Sequence, residues 1–107
     1  MNALIKVIQP SGIFDGTHAK QLRHQISDHV VSGVDIILID LQNVTQLDSS
    51  GLGGLIAIQR VVRTANSKLF LCGINDQVKM LFELTKMEQM FNIFADQQDF
   101  QESGISQ

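Results

Sequence analysis

The sequence predicts an α/β fold built on a mainly parallel sheet. Short apolar segments with the composition of strands alternate with longer segments whose apolar residues recur at spacings of three and four. The chain has 107 residues and is 44% hydrophobic, which fits a single domain, residues 1–107, with one modest core.

Turn-forming residues delimit the first strand and the first helix. The strand covers residues 3–8 and ends before Pro10, because proline cannot donate a hydrogen bond to a sheet. The helix is capped by Asp15 or Thr17 and ends at Gly33. Its apolar stripe consists of Ala19, Leu22, Ile26 and Val30.

Two further strands, residues 34–40 and 68–74, hold runs of consecutive apolar residues. The run over 36–39 in the first of them is typical of a strand in the middle of a sheet that is covered on both faces. Between them, a loop over 41–49 leads into a second helix. The apolar stripe of that helix consists of Leu52, Leu55, Ile56 and Val62.

The sequence of the last third of the chain predicts one helix and one short strand. The helix covers residues 75–85 and is capped by Asn75 or Asp76, and the strand covers 92–95. The polar tail, about residues 101–107, is expected to be flexible.

The predicted topology gathers several polar residues at one edge of the sheet. Loops that follow the carboxyl ends of parallel strands lie together, and sites form there. The loops over 9–16, 41–49 and 73–75 are of this kind. We therefore expect one surface cluster that includes Asp15, Asp48, Ser49, Ser50 and Asn75.

Composition and charge exclude several classes of function. The net charge of −3, with no visible basic patch, argues against nucleic acid as a partner. The longest strongly apolar run, residues 36–39, is too short to cross a bilayer. Because the N-terminal stretch lacks a signal-peptide pattern and Cys72 has no partner for a disulfide, we expect a cytoplasmic protein.

The stretch QLDSSGLGGL, residues 46–55, does not match a catalytic or phosphate-binding motif. A serine nucleophile needs a base, and the three histidines all lie on the first predicted helix, with His18 nearest its start. The G-x-S-x-G, G-x-G-x-x-G and Walker patterns are absent. The histidines, six and five residues apart, do not share one helix face for a metal. We expect no catalytic residue, cofactor or metal ion.

The same stretch holds more capping residues and glycines than a helix start requires. Any of Asp48, Ser49 and Ser50 can cap the second helix. Gly53 and Gly54 then fall in its first turns, where each costs about 0.5–1 kcal/mol relative to alanine. Either the helix packs tightly on the sheet there, or a partner protein approaches closely.

The motif LDSSGLGGL resembles the signature of the STAS domain family, the anti-sigma factor antagonists. The resemblance runs from about Leu4 to Phe94 and includes SGIFDGTHA, VDIILIDL and LFLCGINDQVKMLFELTKM. It implies a four- or five-stranded sheet with helices packed against it. It also implies a switch serine at the position of Ser49, with Asp15 at the family's aspartate position.

The resemblance further implies a mechanism and partners. In the family, a serine kinase that is also the anti-sigma factor phosphorylates the switch serine, and a PP2C-type phosphatase resets it. Asp48, Ser50 and Gly51 are expected to neighbour this site, and Gly53 and Gly54 to permit partner docking. We expect Ser49 at or just before the helix cap, facing solvent, and Ser50 turned toward backbone donors.

One departure from the family pattern concerns the partner. Ile13 stands where antagonists often have glutamate. The alternative is a STAS subunit docked on the ATPase of a lipid transporter. Neither function involves membrane insertion of this chain.

Overall fold

The computed structural model describes residues 3–105. The chain forms six strands, four α-helices and a 3-10 helix over Met87–Met90 within this range. The strands are β1 (Ile5–Ile8), β2 (Gly12–Phe14), β3 (Ile36–Asp40), β4 (Val44–Leu47), β5 (Lys68–Cys72) and β6 (Asn92–Phe94). The helices are α1 (Gly16–Val31), α2 (Ser49–Thr64), α3 (Asp76–Thr85) and α4 (Gln97–Glu102).

The four predicted strands form one parallel sheet in the order β1-β3-β5-β6. All five residues of β3 are buried, as its apolar run predicted for a central strand. Ile37 and Ile39 belong to the core formed with the long helices, whereas Ile36 and Leu38 face a smaller cluster around Phe100. The prediction of a mainly parallel α/β fold is confirmed.

A second, two-stranded sheet pairs β2 with β4 in parallel. The sequence-based prediction was wrong here, because both strands fell within predicted loops. They are only three and four residues long and do not alternate regularly, and the pairing shifts register between Gly12 and Ile13. Gly12 has φ of 77°, a backbone conformation that glycine adopts readily.

Helix α4 overlaps the segment for which flexibility was expected. Gln101 and Glu102 close this helix, and Phe100 is buried against Phe70 at 5.4 Å between ring centroids. Six residues with one buried side chain give no readable helical period, which is why the sequence did not predict α4. Residues 106–107 of the predicted tail lie outside the described residues.

A buried carboxylate, that of Asp40, joins the carboxyl edge of the main sheet to α4. Its Oδ2 accepts hydrogen bonds from Gln9 Nε2 at 3.0 Å and from Gln97 Nε2 at 2.8 Å. Its Oδ1 accepts from the backbone N–H of Gln42 at 3.0 Å. Burial, together with this neighbouring carboxylate, raises the pKa of Cys72 to about 12, so the thiol stays protonated near neutral pH.

Candidate functional site

The small sheet places two capping carboxylates side by side. Phe14 of β2 pairs with Leu47 of β4, so Asp15 and Asp48 follow at the same end of adjacent strands. Asp15 Oδ1 accepts from the backbone N–H of His18 at 3.0 Å and caps α1. Asp48 Oδ1 accepts from the backbone N–H of Gly51 at 2.8 Å and caps α2.

Ser50 links the starts of the two helices. Its Oγ accepts from the backbone N–H of Gly16 at 2.9 Å and donates to Asp48 Oδ1 at 2.7 Å. The expectation that Ser50 faces backbone donors is therefore confirmed. The hydroxyl already has one donor and one acceptor, and a substituent on it would break both contacts.

Ser49 is the first residue of α2 and is exposed. The cap is Asp48, so Ser49 lies one position further into the helix than expected. The side chain of Ser49 makes no hydrogen bond to any residue in the range 3–105. Its hydroxyl is available to solvent, whereas that of Ser50 is engaged.

The three glycines after the serines have different surroundings. A Cβ at Gly51 would lie 2.0 Å from the carbonyl oxygen of Phe14, and a Cβ at Gly54 would lie 2.1 Å from Ala19 Cβ. At Gly53 a Cβ would meet nothing within 4 Å. The close approach that Gly54 permits is therefore to α1 of the same chain rather than to the sheet, and Gly53 alone faces open space.

Asn75 does not join the cluster of aspartates and serines. It caps α3 by accepting from the backbone N–H of Val78, and its Nδ2 donates to the carbonyl of Val44 at 3.1 Å. Its hydrogen bonds among the described residues tie α3 to the start of β4, on the far side from Ser49 along that strand.

The described residues assemble no serine–histidine pair. His18 Nδ1 lies 2.7 Å from Asp15 Oδ1, and no histidine in residues 3–105 hydrogen bonds to Ser49 or Ser50. Within the same range, no group of three His, Cys, Asp or Glu side chains could hold a metal ion. No helix of the described chain has the length and apolar content needed to cross a membrane.

Hydrogen bonds keep both capping carboxylates ionised. The Ser50 hydroxyl, followed by the Gly51 N–H, lowers the pKa of Asp48 below its ordinary value, against a smaller opposing effect of the Asp15 charge. The backbone N–H and then the ring of His18 lower the pKa of Asp15. Two negative charges therefore flank the start of α2 at neutral pH.

Replacing Ser50 with alanine should raise the pKa of Asp48 toward its ordinary value. The pKa of Asp48 is lower in the folded protein than in the unfolded chain, where it is about 3.9. Ionised Asp48 therefore contributes to the free energy of unfolding above that pH, and this contribution is lost as pH falls through the pKa of the folded state. Ser50→Ala should thus make stability less dependent on pH below about 4. Carboxyl NMR titration measures the shift, and an unchanged Asp48 pKa in this variant would contradict the assigned hydrogen bond.

Gly16 is a site residue that sequence reasoning missed. Its N–H is held by Ser50 Oγ, and a Cβ on it would lie 3.4 Å from Ser50 Cβ, an ordinary contact. The available signal was its position directly after the capping Asp15 in the segment FDGTHA. Its role depends on the pairing of β2 with β4, which was not predicted.

The family model described as STAS domain matches residues 2–100. The anti-sigma-B factor antagonist of Listeria monocytogenes is 29% identical over 83 residues, covering 78% of this chain and 73% of that protein. The anti-sigma-B factor antagonist of Staphylococcus aureus is 23% identical over 86 residues, covering 80% of each chain.

Solved structures agree in fold. The unphosphorylated anti-sigma factor antagonist SpoIIAA superposes with a TM-score of 0.70 at 19% identity, covering 96% of this chain and 91% of that one. The phosphorylated form of SpoIIAA, a Bacillus cell fate determinant, superposes with a TM-score of 0.68 at 18% identity, covering 92% and 90%. By the extent of the family match and the shared fold, this chain belongs to the STAS domain family and resembles its anti-sigma factor antagonists.

Proposed function

We propose that this STAS domain is a protein-binding switch controlled by phosphorylation of Ser49. The unphosphorylated form binds a serine kinase that also acts as an anti-sigma factor, and the phosphorylated form releases it. The observation that supports this assignment is the contrast between the two serines. Ser49 is exposed with a free hydroxyl among the described residues, whereas Ser50 is held between Gly16 and Asp48.

A phosphate at Ser49 is compatible with the fold. It adds a charge of about −1.5 to −2 and strong acceptor oxygens. At the first position of α2 it meets free backbone N–H groups and the positive end of the helix dipole. The ionised Asp15 and Asp48 add to the same negative field. The modification therefore acts on partner binding and leaves the fold intact.

The proposed module has no enzymatic activity of its own. Within residues 3–105, the only histidine hydrogen bond in the cluster is that of His18 with Asp15, on the α1 side of the site. In this proposal a partner kinase phosphorylates Ser49, and a PP2C-type phosphatase, the second partner, hydrolyses the phosphoserine. The match to curated anti-sigma-B factor antagonists supports a partner of the kinase and anti-sigma type, and the phosphatase is proposed from the family resemblance alone.

Partner docking is proposed over the exposed face at the start of α2, around Gly53. A Cβ there meets nothing within 4 Å, so a large side chain fits without disturbing the domain. Gly53→Trp should leave the melting temperature nearly unchanged and weaken kinase binding at least about tenfold, a loss of about 1.4 kcal/mol. If the Gly53→Trp variant instead had a lower melting temperature and unchanged kinase binding, Gly53 would serve internal packing rather than docking.

The experiment that tests the proposed function is a pull-down in which the immobilised wild-type protein and the immobilised Gly53→Trp variant serve as matched baits. The wild-type bait should retain a protein serine kinase that transfers phosphate to it when ATP is added, and the variant bait should retain much less. Retention of a transporter ATPase without phosphoryl transfer would support the alternative of a transporter subunit and refute the switch.

A further inference from the structure

Helices α1 and α2 concentrate positive charge in a chain that is acidic overall. Together they hold four of the eight lysines and arginines but only one of the eleven acidic residues, Asp28. Helix α2 has no acidic residue at all. The remainder of the sequence therefore has four basic and ten acidic residues. Three of the four basic residues, Lys20, Arg23 and Arg60, line depressions between the two helices, whereas Arg63 lines a different one.

A groove runs between these two helices and begins at the switch site. Its first stretch, of about 150 Å³, is lined by Ser50, Lys20 and Arg23 together with the small residues Ala19 and Gly54. Ser50 lies within it, and the neighbouring Ser49 is exposed at the same end of α2.

A separate and more apolar depression lies further along the same helix pair, and the two depressions together form the α1–α2 groove. This part has a volume of about 370 Å³ and is lined by Val30, Val31, Arg60 and Val61 among others. Val31 is 82% exposed, so this end offers apolar surface that the domain itself does not cover.

The cations of the groove have no acidic partner among the described residues. The structure records one ion pair in residues 3–105, that of His18 with Asp15, so Lys20, Arg23 and Arg60 form none there. A groove that combines apolar lining with free cations is complementary to a segment that is apolar on one side and acidic on the other.

We infer that the docking surface around Gly53 extends into the adjoining α1–α2 groove, where Lys20, Arg23 and Arg60 hold an acidic, amphipathic segment of the partner kinase. This inference rests on the proposed function and deepens it. A phosphate on Ser49, one residue from the groove lining, would then repel the acidic segment, which explains how one modification releases a partner without unfolding the domain.

The first test compares two charge-reversal variants with the purified kinase. Lys20→Glu/Arg23→Glu changes the groove, and Lys68→Glu/Lys79→Glu makes the same charge change at exposed positions outside it. The groove variant should bind at least about tenfold more weakly and lose most of the salt dependence, while the control should bind within about threefold of wild type. Melting temperatures establish that both variants are folded.

The second test uses a probe that does not depend on the kinase. A synthetic amphipathic peptide of leucine and glutamate should shift NMR signals along α1 and α2, and a matched leucine–lysine peptide should not. Equal effects of the two peptides, or shifts confined to other elements, would overturn the docking site. Kinase binding that does not change in the groove charge-reversal variant would also overturn the docking site, but it would not contradict the phosphorylation switch. Conversely, if the acidic peptide binds the groove and the kinase does not phosphorylate Ser49, the groove would be supported and the switch refuted.

Discussion

Replacing Gly51 with alanine should destabilise the domain by about 2–3 kcal/mol, the upper part of the range of about 1–3 kcal/mol expected when a side chain is forced into occupied space. The added Cβ would lie 2.0 Å from the backbone carbonyl oxygen of Phe14, which cannot move aside as a flexible side chain can. Relief requires α2 to shift away from β2. Such a shift also disturbs the Gly51 N–H donated to Asp48, which caps the helix.

Gly53→Ala is the matched control, two positions further along the same helix. It introduces the same atom into open space, so it should be neutral or stabilise the protein by about 0.5–1 kcal/mol through the higher helix propensity of alanine. Urea denaturation of both variants measures the difference. Equal stabilities would contradict the placement of α2 against β2.

Replacing Ser49 with aspartate should weaken kinase binding at least about tenfold, or about 1.4 kcal/mol. A third carboxylate joins those of Asp15 and Asp48, which are both held ionised by hydrogen bonds. Acidic residues are favourable in the first turn of a helix, so the melting temperature should not fall. The effect is expected to be smaller than that of phosphate, because one carboxylate has only part of its charge.

Ser49→Asn controls for size and hydrogen bonding without adding charge. It should bind the kinase within about threefold of wild type, which corresponds to about 0.6 kcal/mol. Titration calorimetry with the purified kinase measures both variants. Equal weakening by asparagine and aspartate would show that shape rather than charge governs release.

The main sheet could be predicted from the sequence, whereas the small sheet that positions the site residues could not. The uninterrupted apolar run of β3 predicts a central strand because burial on both faces requires it. Strands β2 and β4 are short and irregular, and they pair with each other although about thirty residues separate them in the sequence. This pairing is a tertiary effect that leaves no pattern in the local sequence of either strand.

Site residues were predictable in type and less so in arrangement. The sequence placed Asp15, Asp48 and Asn75 among the candidate caps, each beside at least one alternative, and the structure shows that these three are the caps. That Ser50 spans from Asp48 to Gly16 depends on the proximity of two helix starts, which the unpredicted β2–β4 pairing creates. The separate roles of Gly53 and Gly54 likewise required knowing which face of α2 meets Ala19.

The measurement that tests the switch most directly is localisation of phosphate after reaction with the kinase and ATP. Wild type, Ser49→Ala and Ser50→Ala are compared by intact mass and peptide mapping. We expect one phosphoryl group on Ser49 in wild type, phosphorylation retained in Ser50→Ala, and none in Ser49→Ala, which should still bind the kinase. Phosphate on Ser50, or on the Ser49→Ala protein at the wild-type rate, would contradict the assignment of Ser49 as the switch.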